Sequence, residues 1–336
     1  MNNTDGWEKR WNPLRREWIV YAPHRNNRPW DGESEELKIN KKSYLPNCYL
    51  CPGNERISGT INPNYQDVFV FDNDHPVVSF DAPNIDSSIS DELYITQSAK
   101  GFAKVICYHP DHSKTMTDLN ITQLAKILKA WKSVTKEARD AGLEYVLVFE
   151  NKGEITGVSN LHPHCQVYAT DFVFNHTLTE LESLKKFREA RKANLFESII
   201  AAERSTQTRI IAENEYAIAF LPFFAKYAYE VMLFPKQNAS TLLDLTEEAL
   251  HGIAIVYHQL LQKYDALFDQ SFPYVMSIMQ APLQENHPEY RLYFHFQPPL
   301  RIPNVRKYLA GPEIGGGNFM ADTIPEVSAQ QLKAAI

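Results

Sequence analysis

Five consecutive residues, His162-Pro163-His164-Cys165-Gln166, bring together side chains that can do chemistry. On a β-strand alternate side chains share a face, about 6.6 Å apart at roughly 3.3 Å per residue. A strand through this stretch would set His162, His164 and Gln166 on one face and Cys165 and Val167 on the other. Two imidazoles and an amide make a poor core face, because each polar group needs a partner when buried. They make a good reaction face. One imidazole can hold a metal, the other can attack, and the amide can meet a developing negative charge. A neutral imidazole attacks phosphorus in line and forms a phosphoramidate, which splits one transfer into two displacements. On this reading His162 binds metal, His164 is the nucleophile, and Gln166 donates to the phosphoryl group, a contact worth about 3 kcal/mol in the transition state.

The metal needs further ligands. Cys48-Tyr-Leu-Cys51, followed by Pro52-Gly53, is a tight-turn thiolate pair of the kind used in zinc sites. No second Cys-x-x-Cys exists, so histidines must complete the set, and the candidates are His162 and His112, the latter in Pro110-Asp-His-Ser-Lys-Thr115. A Cys2His2 set leaves no open position, so the Zn2+ would be structural. Cys107, alone in an apolar stretch, reads as core. His24-Arg25-Asn-Asn-Arg28-Pro29-Trp30 sets two arginines three apart beside a proline and an aromatic, able to grip phosphate oxygens in bidentate fashion. Gly153, Gly157, Ser159 and Asn160 precede the histidines and offer backbone donors to a phosphate.

Elements of two kinds must position these groups, and they recur. The segment 67–74 resembles 209–215, each a strand ending in an acidic, Asn-containing turn. The segment 110–115 before Asp118-Leu119 resembles 235–240 before Asp244-Leu245. A helix follows each. The first carries Ile121, Leu124, Leu128, Trp131 and Val134 at helical spacing, an Asn120-x-x-Gln123 cap and a Gly142 stop. The second covers about 246–268, with Leu250, Ile253, Val256, Tyr257, Leu260 and Tyr264 on its apolar face. Apolar strands come next, at 145–149 and 274–279, and the last strand of each half ends in His-x-Gln, at His164 to Gln166 and His295 to Gln297. A charged helical stretch, 179–203, separates the halves. The pattern predicts an α+β chain of two pseudo-symmetric half-barrels with antiparallel strands and one long helix apiece. Residues 1–175 form the first half, 176–207 a helical connector and 208–336 the second half. Tyr293 stands where the first half has His162, so the first copy is the chemical one and the second a degenerate partner.

Composition bounds the function. With 336 residues, 44% hydrophobic and 22% charged, the chain is globular rather than disordered. A net charge of −7 argues against general affinity for nucleic acid or an anionic membrane, so placed basic residues must bind any phosphate. The polar start from Met1 to Trp11 has no signal-peptide core, and no run of 18 apolar residues predicts a membrane span. Four cysteines make no disulfide scaffold, and a reducing cytoplasm is the expected location.

Taken together these residues resemble the galactose-1-phosphate uridylyltransferase family of the histidine-triad superfamily. The resemblance runs from Arg10-Trp-Asn-Pro-Leu to Val305-Arg-Lys-Tyr and rests on Pro23 to Trp30, Cys48 to Asn54, Pro110 to Thr115, Phe149 to Gly153 and Ser159 to Gln166, in the right order. It implies a histidine-triad-like fold and a ping-pong transfer. UDP-glucose gives its uridylyl group to His164, and a hexose 1-phosphate, with galactose 1-phosphate favoured, then takes it. By position it implies zinc on Cys48, Cys51, His112 and His162. It also implies substrate contacts from Arg25, Arg28, Ile57, Asn73, Asp74, Asn151, Gly157, Val158, Ser159 and Gln166, with sugar-phosphate contacts from Lys307, Tyr308 and Glu313. A homodimer with shared active sites is implied as well. Some members carry a second, iron-type site of one glutamate and three histidines. Here Glu180 and His295 match but Gln280 and Tyr293 replace histidines, so that site is expected to be absent or altered. The Gly315-Gly-Gly317 stretch has no counterpart in the family, which leaves the sugar less defined than the chemistry. An ADP-sugar or dinucleotide phosphorylase, a histidine-triad hydrolase and a non-enzymatic nucleotide-binding module are the other readings of the same residues.

Overall fold

The computed structural model describes residues 7–27, 42–85 and 93–336. Its centre is one nine-stranded sheet. The strands are β3 (Phe69–Asp72), β4 (Gly101–Cys107), β5 (Tyr145–Lys152), β6 (His164–Thr170), β7 (Ile210–Glu213), β8 (Ala217–Phe220), β9 (Val231–Pro235), β10 (Tyr274–Met279) and β11 (Tyr293–Gln297). They lie in the order β3-β4-β6-β5-β10-β11-β9-β8-β7, and every neighbouring pair is antiparallel. The fold is therefore α+β, and the two halves join edge to edge through β5 and β10. The order β3-β4-β6-β5 is mirrored by β8-β9-β11-β10. By place in the sheet, then, β3 matches β8 and not β7, the strand its sequence resembles. Acidic Asn turns can end any strand, and pairing alone assigns the counterpart.

Helices α1 (Ile121–Asp140) and α4 (Glu247–Leu267) follow β4 and β9. Asn120 caps α1 as a capping box, its Oδ1 accepting from the Gln123 amide at 3.0 Å while Gln123 Oε1 accepts from the Asn120 amide at 3.0 Å. Gly142, at φ +76°, lets the chain turn away in the left-handed region. Leu124, Ile127, Leu128, Trp131 and Val134 of α1 and Leu250, Ile253, Tyr257, Leu260 and Tyr264 of α4 bury against one sheet face, forming a core with Val146, Val148, Cys165 and Val167. That core spans both halves.

The opposite face is treated unequally. Over the second half it is covered by α2 (Asn175–Arg191), α3 (Leu195–Thr206) and a three-stranded sheet of β1 (Glu8–Asn12), β2 (Glu17–Tyr21) and β14 (Phe319–Ala321). These bury Phe196, Ile218, Phe220, Met232, Phe234 and Tyr293 in a second core. Residues 300–306 form the β12–β13 hairpin (Leu300–Ile302, Val305–Arg306), followed by a short helix α5 (Gly311–Ile314) and a terminal α6 (Pro325–Ala334). Over the first half, among the described residues, the same face carries a small cluster of Cys48, Leu50, Cys51, Tyr65, Val105 and Cys107, beside which His164, Gln166 and Tyr168 remain half-buried. So the described residues leave the sheet face of the first half partly exposed around His164, while its counterpart around His295 is buried. No helix among the described residues is long and apolar enough to cross a membrane.

Candidate active site and metal centre

β6 begins at His164, so His162 lies before the strand rather than on its face as predicted. Pro163 has no N–H and cannot enter the ladder, which starts one residue later. The alternation holds from there: His164, Gln166 and Tyr168 are half-buried on the open face, whereas Cys165 and Val167 are buried on the helix side. Cys165 accepts a hydrogen bond from Trp131 Nε1 at 3.2 Å, well away from the reaction face.

Release from the strand lets His162 turn into a metal-type cluster. Successive turns, Cys48 N to Leu45 O and Cys51 N to Cys48 O at 3.1 Å each, put both thiols on one side of their loop. His112 is anchored by its amide on Ser43 O at 2.8 Å. The Sγ atoms of Cys48 and Cys51 and one ring nitrogen each of His112 and His162 all lie within 4.8 Å of one another, and all four residues are buried. Cys51 Sγ is 3.6 Å from Nδ1 of each histidine, and the two Nδ1 atoms are 3.3 Å apart. A zinc tetrahedron with bonds of about 2.3 Å to sulfur and about 2.0–2.1 Å to nitrogen has S···N edges near 3.6 Å and N···N edges near 3.3 Å. The donor set fits that ion. Burial pushes the Cys51 thiol up to about 12 and, with His112 beside it, drives His162 down to about 3. His162 thus keeps a free lone pair, and drawing a thiolate out of Cys51 requires the charge of a cation.

Two side chains support the cluster from outside. Tyr65 Oη lies 2.8 Å from His162 Nε2 and donates to Leu50 O at 2.6 Å. Asn160 Nδ2 reaches Cys48 Sγ at 3.4 Å while its Oδ1 accepts the His162 amide at 2.9 Å. The Asn160 side chain is therefore occupied here, and neither contact engages its backbone amide, the donor expected from the sequence. Tyr65 belongs to no recognisable motif, and nothing in the sequence pointed to it.

His164 Nδ1 is 2.7 Å from the carbonyl of His162, which can only accept, so the proton sits on Nδ1 and Nε2 carries the lone pair. Burial lowers the His164 pKa against the opposing pull of that carbonyl, which keeps the ring neutral. Gln166 Oε1 accepts from Asn73 Nδ2 at 3.2 Å and from Tyr168 Oη at 3.4 Å, so its NH2 group is the end left for a ligand. Phe149, Asn151, Gly157, Val158 and Ser159 complete a cleft with His164 and Gln166. Gly157 sits at φ +83°, and its amide is taken by Glu154 O at 2.9 Å. The amides of Val158 and Ser159 are left as this turn's candidate donors to a ligand. A second cleft reaches His164 past Lys114, Thr115 and Lys152, and the two lysines are basic groups to which the sequence motifs assigned no role. Asp74 accepts from the Ser58 amide at 3.3 Å and faces Arg56 at 3.6 Å, tying the exposed Ile57 loop to the end of β3 beside Gln166.

The remaining expected contacts lie elsewhere. Arg25 lines a cleft with Lys307, Tyr308 and Glu313, together with Arg301, Arg306 and Asp322. Lys307 pairs with Glu313 at 2.8 Å, and Glu313 also accepts the amides of Ala310 and Met320 at 3.1 and 3.2 Å. The expected contacts among the described residues thus fall in two places, around His164 and around Lys307. Arg28 lies outside the described residues.

The residues expected at a second metal site each have protein partners. Glu180 is fully buried and receives the hydroxyls of Tyr290 and Tyr293, with Arg15 at 3.3 Å. His295 Nε2 pairs with Glu230 at 2.8 Å. Gln280 accepts from Leu242 N at 3.2 Å and donates to Val146 O at 3.0 Å.

The chain matches two family models, the N-terminal domain of galactose-1-phosphate uridyl transferase over residues 1–173 and the C-terminal domain over 180–336. The galactose-1-phosphate uridylyltransferase of Haemophilus influenzae is 37% identical over 98% of this chain and 95% of its own. That of Saccharomyces cerevisiae is 35% identical over 97% and 93%. A solved uridylyltransferase superposes with a TM-score of 0.79 at 30% identity, covering 98% of both chains. An ADP-glucose phosphorylase from Arabidopsis thaliana shares the fold with a TM-score of 0.77 at 23% identity, over 98% of this chain and 99% of that one.

Proposed function

Because the chain belongs to the galactose-1-phosphate uridylyltransferase family and is a nucleotidyltransferase, we propose that it transfers a uridylyl group from UDP-glucose to a hexose 1-phosphate through His164. Galactose 1-phosphate is the favoured acceptor. The observation that carries the reading is the 2.7 Å contact of His164 Nδ1 with the His162 carbonyl, which aims a neutral Nε2 lone pair at the open cleft.

In the first half-reaction Nε2 attacks the α-phosphorus in line. The N–P bond forms as the bridging P–O bond breaks, and glucose 1-phosphate departs with the electron pair. The leaving group is already a phosphate, so no strong general acid is needed. His164 keeps its proton on Nδ1, and the His162 carbonyl steadies the positive charge that develops on the ring. The NH2 group of Gln166, its oxygen held by Asn73 and Tyr168, meets the negative charge gathering on the phosphoryl oxygens. In the second half-reaction a phosphate oxygen of the hexose 1-phosphate attacks the same phosphorus and the N–P bond breaks. Val158, Ser159 and Asn151 border the reacting phosphate, and Asn73, Asp74 and Ile57 the nucleoside side.

Zn2+ on Cys48, Cys51, His112 and His162 would serve as a structural clamp that fixes the loop carrying the His162 carbonyl. Its thiolates require a reducing compartment, which suits the cytoplasm. A homodimer completes the site: Arg25, Lys307, Tyr308 and Glu313 line their own cleft, so they would serve the His164 of a partner subunit. In the same reading 1–175 is the reacting half, 176–207 the connector and 208–336 the retired half.

The test offers UDP-glucose and ADP-glucose, each labelled at the α-phosphate, and then chases with galactose 1-phosphate, glucose 1-phosphate or inorganic phosphate. Acid-labile label should appear on the wild type from UDP-glucose and be absent from His164→Ala. A sugar phosphate should release it. Label taken only from ADP-glucose, or released only by inorganic phosphate or water, overturns the assignment.

A further inference from the structure

We propose that Tyr65 is a positioning residue that fixes the tautomer of His162 and so points Nδ1 of that ring, rather than Nε2, into the Cys2His2 cluster. The inference rests on the metal reading of that cluster and adds to it a residue outside all of its motifs.

The argument is a count of hydrogens. A backbone carbonyl only accepts, and Tyr65 Oη lies 2.6 Å from Leu50 O, so the single phenolic proton is committed to Leu50. The same oxygen lies 2.8 Å from His162 Nε2 and has no proton left to give, so Nε2 must carry the hydrogen and donate. A neutral imidazole with its proton on Nε2 has its lone pair on Nδ1, the atom 3.6 Å from Cys51 Sγ and 3.3 Å from His112 Nδ1. Metal-bound histidines commonly give their other N–H to an outer acceptor that sets ring orientation. Here the acceptor is a tyrosine that is itself anchored. Leu50 lies between Cys48 and Cys51, so one hydroxyl ties a histidine ligand to the loop holding both thiols. Tyr65 is 8% exposed, stacks on Phe69 at 4.9 Å, and sits in the same small core as Cys51 and Cys107. Its hydroxyl is thereby held in register with β3. The chain continues to the nucleophile, because the backbone carbonyl of His162 receives Nδ1–H of His164. Tyr65, His162 and His164 thus form one line of orienting hydrogen bonds from the cluster to the reacting nitrogen.

The experiment compares the full-length wild type with Tyr65→Phe, which keeps the ring and its packing, and with Asn160→Ala as a second variant at the same cluster. Metal content is measured first, then metal affinity by chelator competition, then the visible spectrum of the cobalt-substituted protein. Tyr65→Phe should weaken metal retention about 10- to 100-fold and shift the cobalt bands, because the freed ring loses its fixed approach. Nucleotidylation of His164 should slow with little change in KM for UDP-glucose. A role in packing alone would lower the melting temperature of the metal-free and metal-loaded forms equally and leave the cobalt spectrum in place. An unchanged spectrum and unchanged affinity in Tyr65→Phe, with Asn160→Ala weakened, overturn the proposal while the metal reading stands. A wild type that retains no metal removes the reading on which it rests.

Discussion

Asn73 and Gln166 meet through one hydrogen bond, and its polarity makes a charge change at Asn73 more damaging than a deletion. Asn73 Nδ2 donates to Gln166 Oε1 at 3.2 Å, while Asn73 Oδ1 accepts the His75 amide at 2.9 Å. Asn73→Ala removes a long neutral hydrogen bond, worth about 1 kcal/mol, or about fivefold in rate. The Gln166 amide then still has Tyr168 to hold its oxygen. Asn73→Asp keeps the bond to His75 but presents a carboxylate oxygen to Gln166 Oε1. The amide turns over to donate its NH2 to that carboxylate, a charge-assisted bond worth about 1.5–3 kcal/mol when buried, and about 2 kcal/mol at this half-buried position. Gln166 then faces the substrate with an oxygen. Turning it back costs about 2 kcal/mol, or about 30-fold, while leaving it turned forfeits the roughly 100- to 1000-fold contribution of a donor to the phosphoryl charge. The assay is the single-turnover rate of label transfer to His164 at saturating UDP-glucose. Asn73→Asp should be about 30-fold or more slower than wild type and clearly slower than Asn73→Ala. In a Gln166→Ala background the two substitutions should act alike, since no amide remains to turn. Equal rates for the two single variants, or an aspartate effect that persists without Gln166, refute the reasoning.

Two further outcomes follow from the same structure. Glu150 is buried on the helix side of β5, where burial pushes its carboxyl up to about 7 against the opposing pull of Lys152, Tyr274 and Tyr108. The folded value lies above the unfolded one, so the native chain binds the extra proton and its stability falls as pH rises from about 4.5 to about 7. Glu150→Gln should lose that dependence and gain of order 3 kcal/mol relative to wild type on going from pH 4.5 to pH 8. Urea unfolding at both pH values checks this, and parallel curves for the two proteins reject it. Co-expression of His164→Ala with Lys307→Met, each inactive alone, should restore up to about a quarter of wild-type activity, because half of the dimers would carry one site with both residues intact. No recovery above either parent would show that the two clefts are not joined across a dimer.

Much of the candidate site was legible because its parts are local. The Cys48–Cys51 turn, the Asn120 cap and the apolar stripe of α1 depend on residues within a few positions of one another, and short-range sterics and hydrogen bonds suffice to form them. The alternation of His164, Cys165 and Gln166 is likewise a property of any strand. Turn chemistry alone, by contrast, paired β3 with the wrong strand.

What the amino-acid sequence determined by itself, then, was which residue types recur at which spacing: a thiol pair, two histidines around a proline, an amide two residues on. Tertiary structure decided which of them meet. Pro163 stays out of the ladder and frees His162 to join Cys48, Cys51 and His112, candidate metal ligands separated by up to 114 positions. The proton on His164 Nδ1, the orientation of Gln166 and the role of Tyr65 each depend on which acceptor lies across a gap of about 3 Å, and no residue pattern encodes that distance. The sheet made the last choice. The same His-x-Gln occurs twice, yet α2, α3 and the β1–β2–β14 sheet bury the apolar face around His295, while the described residues leave His164 half-buried. Burial of apolar surface drives that packing and is summed over the whole chain, so which copy stays accessible to substrate is settled only when every element is in place.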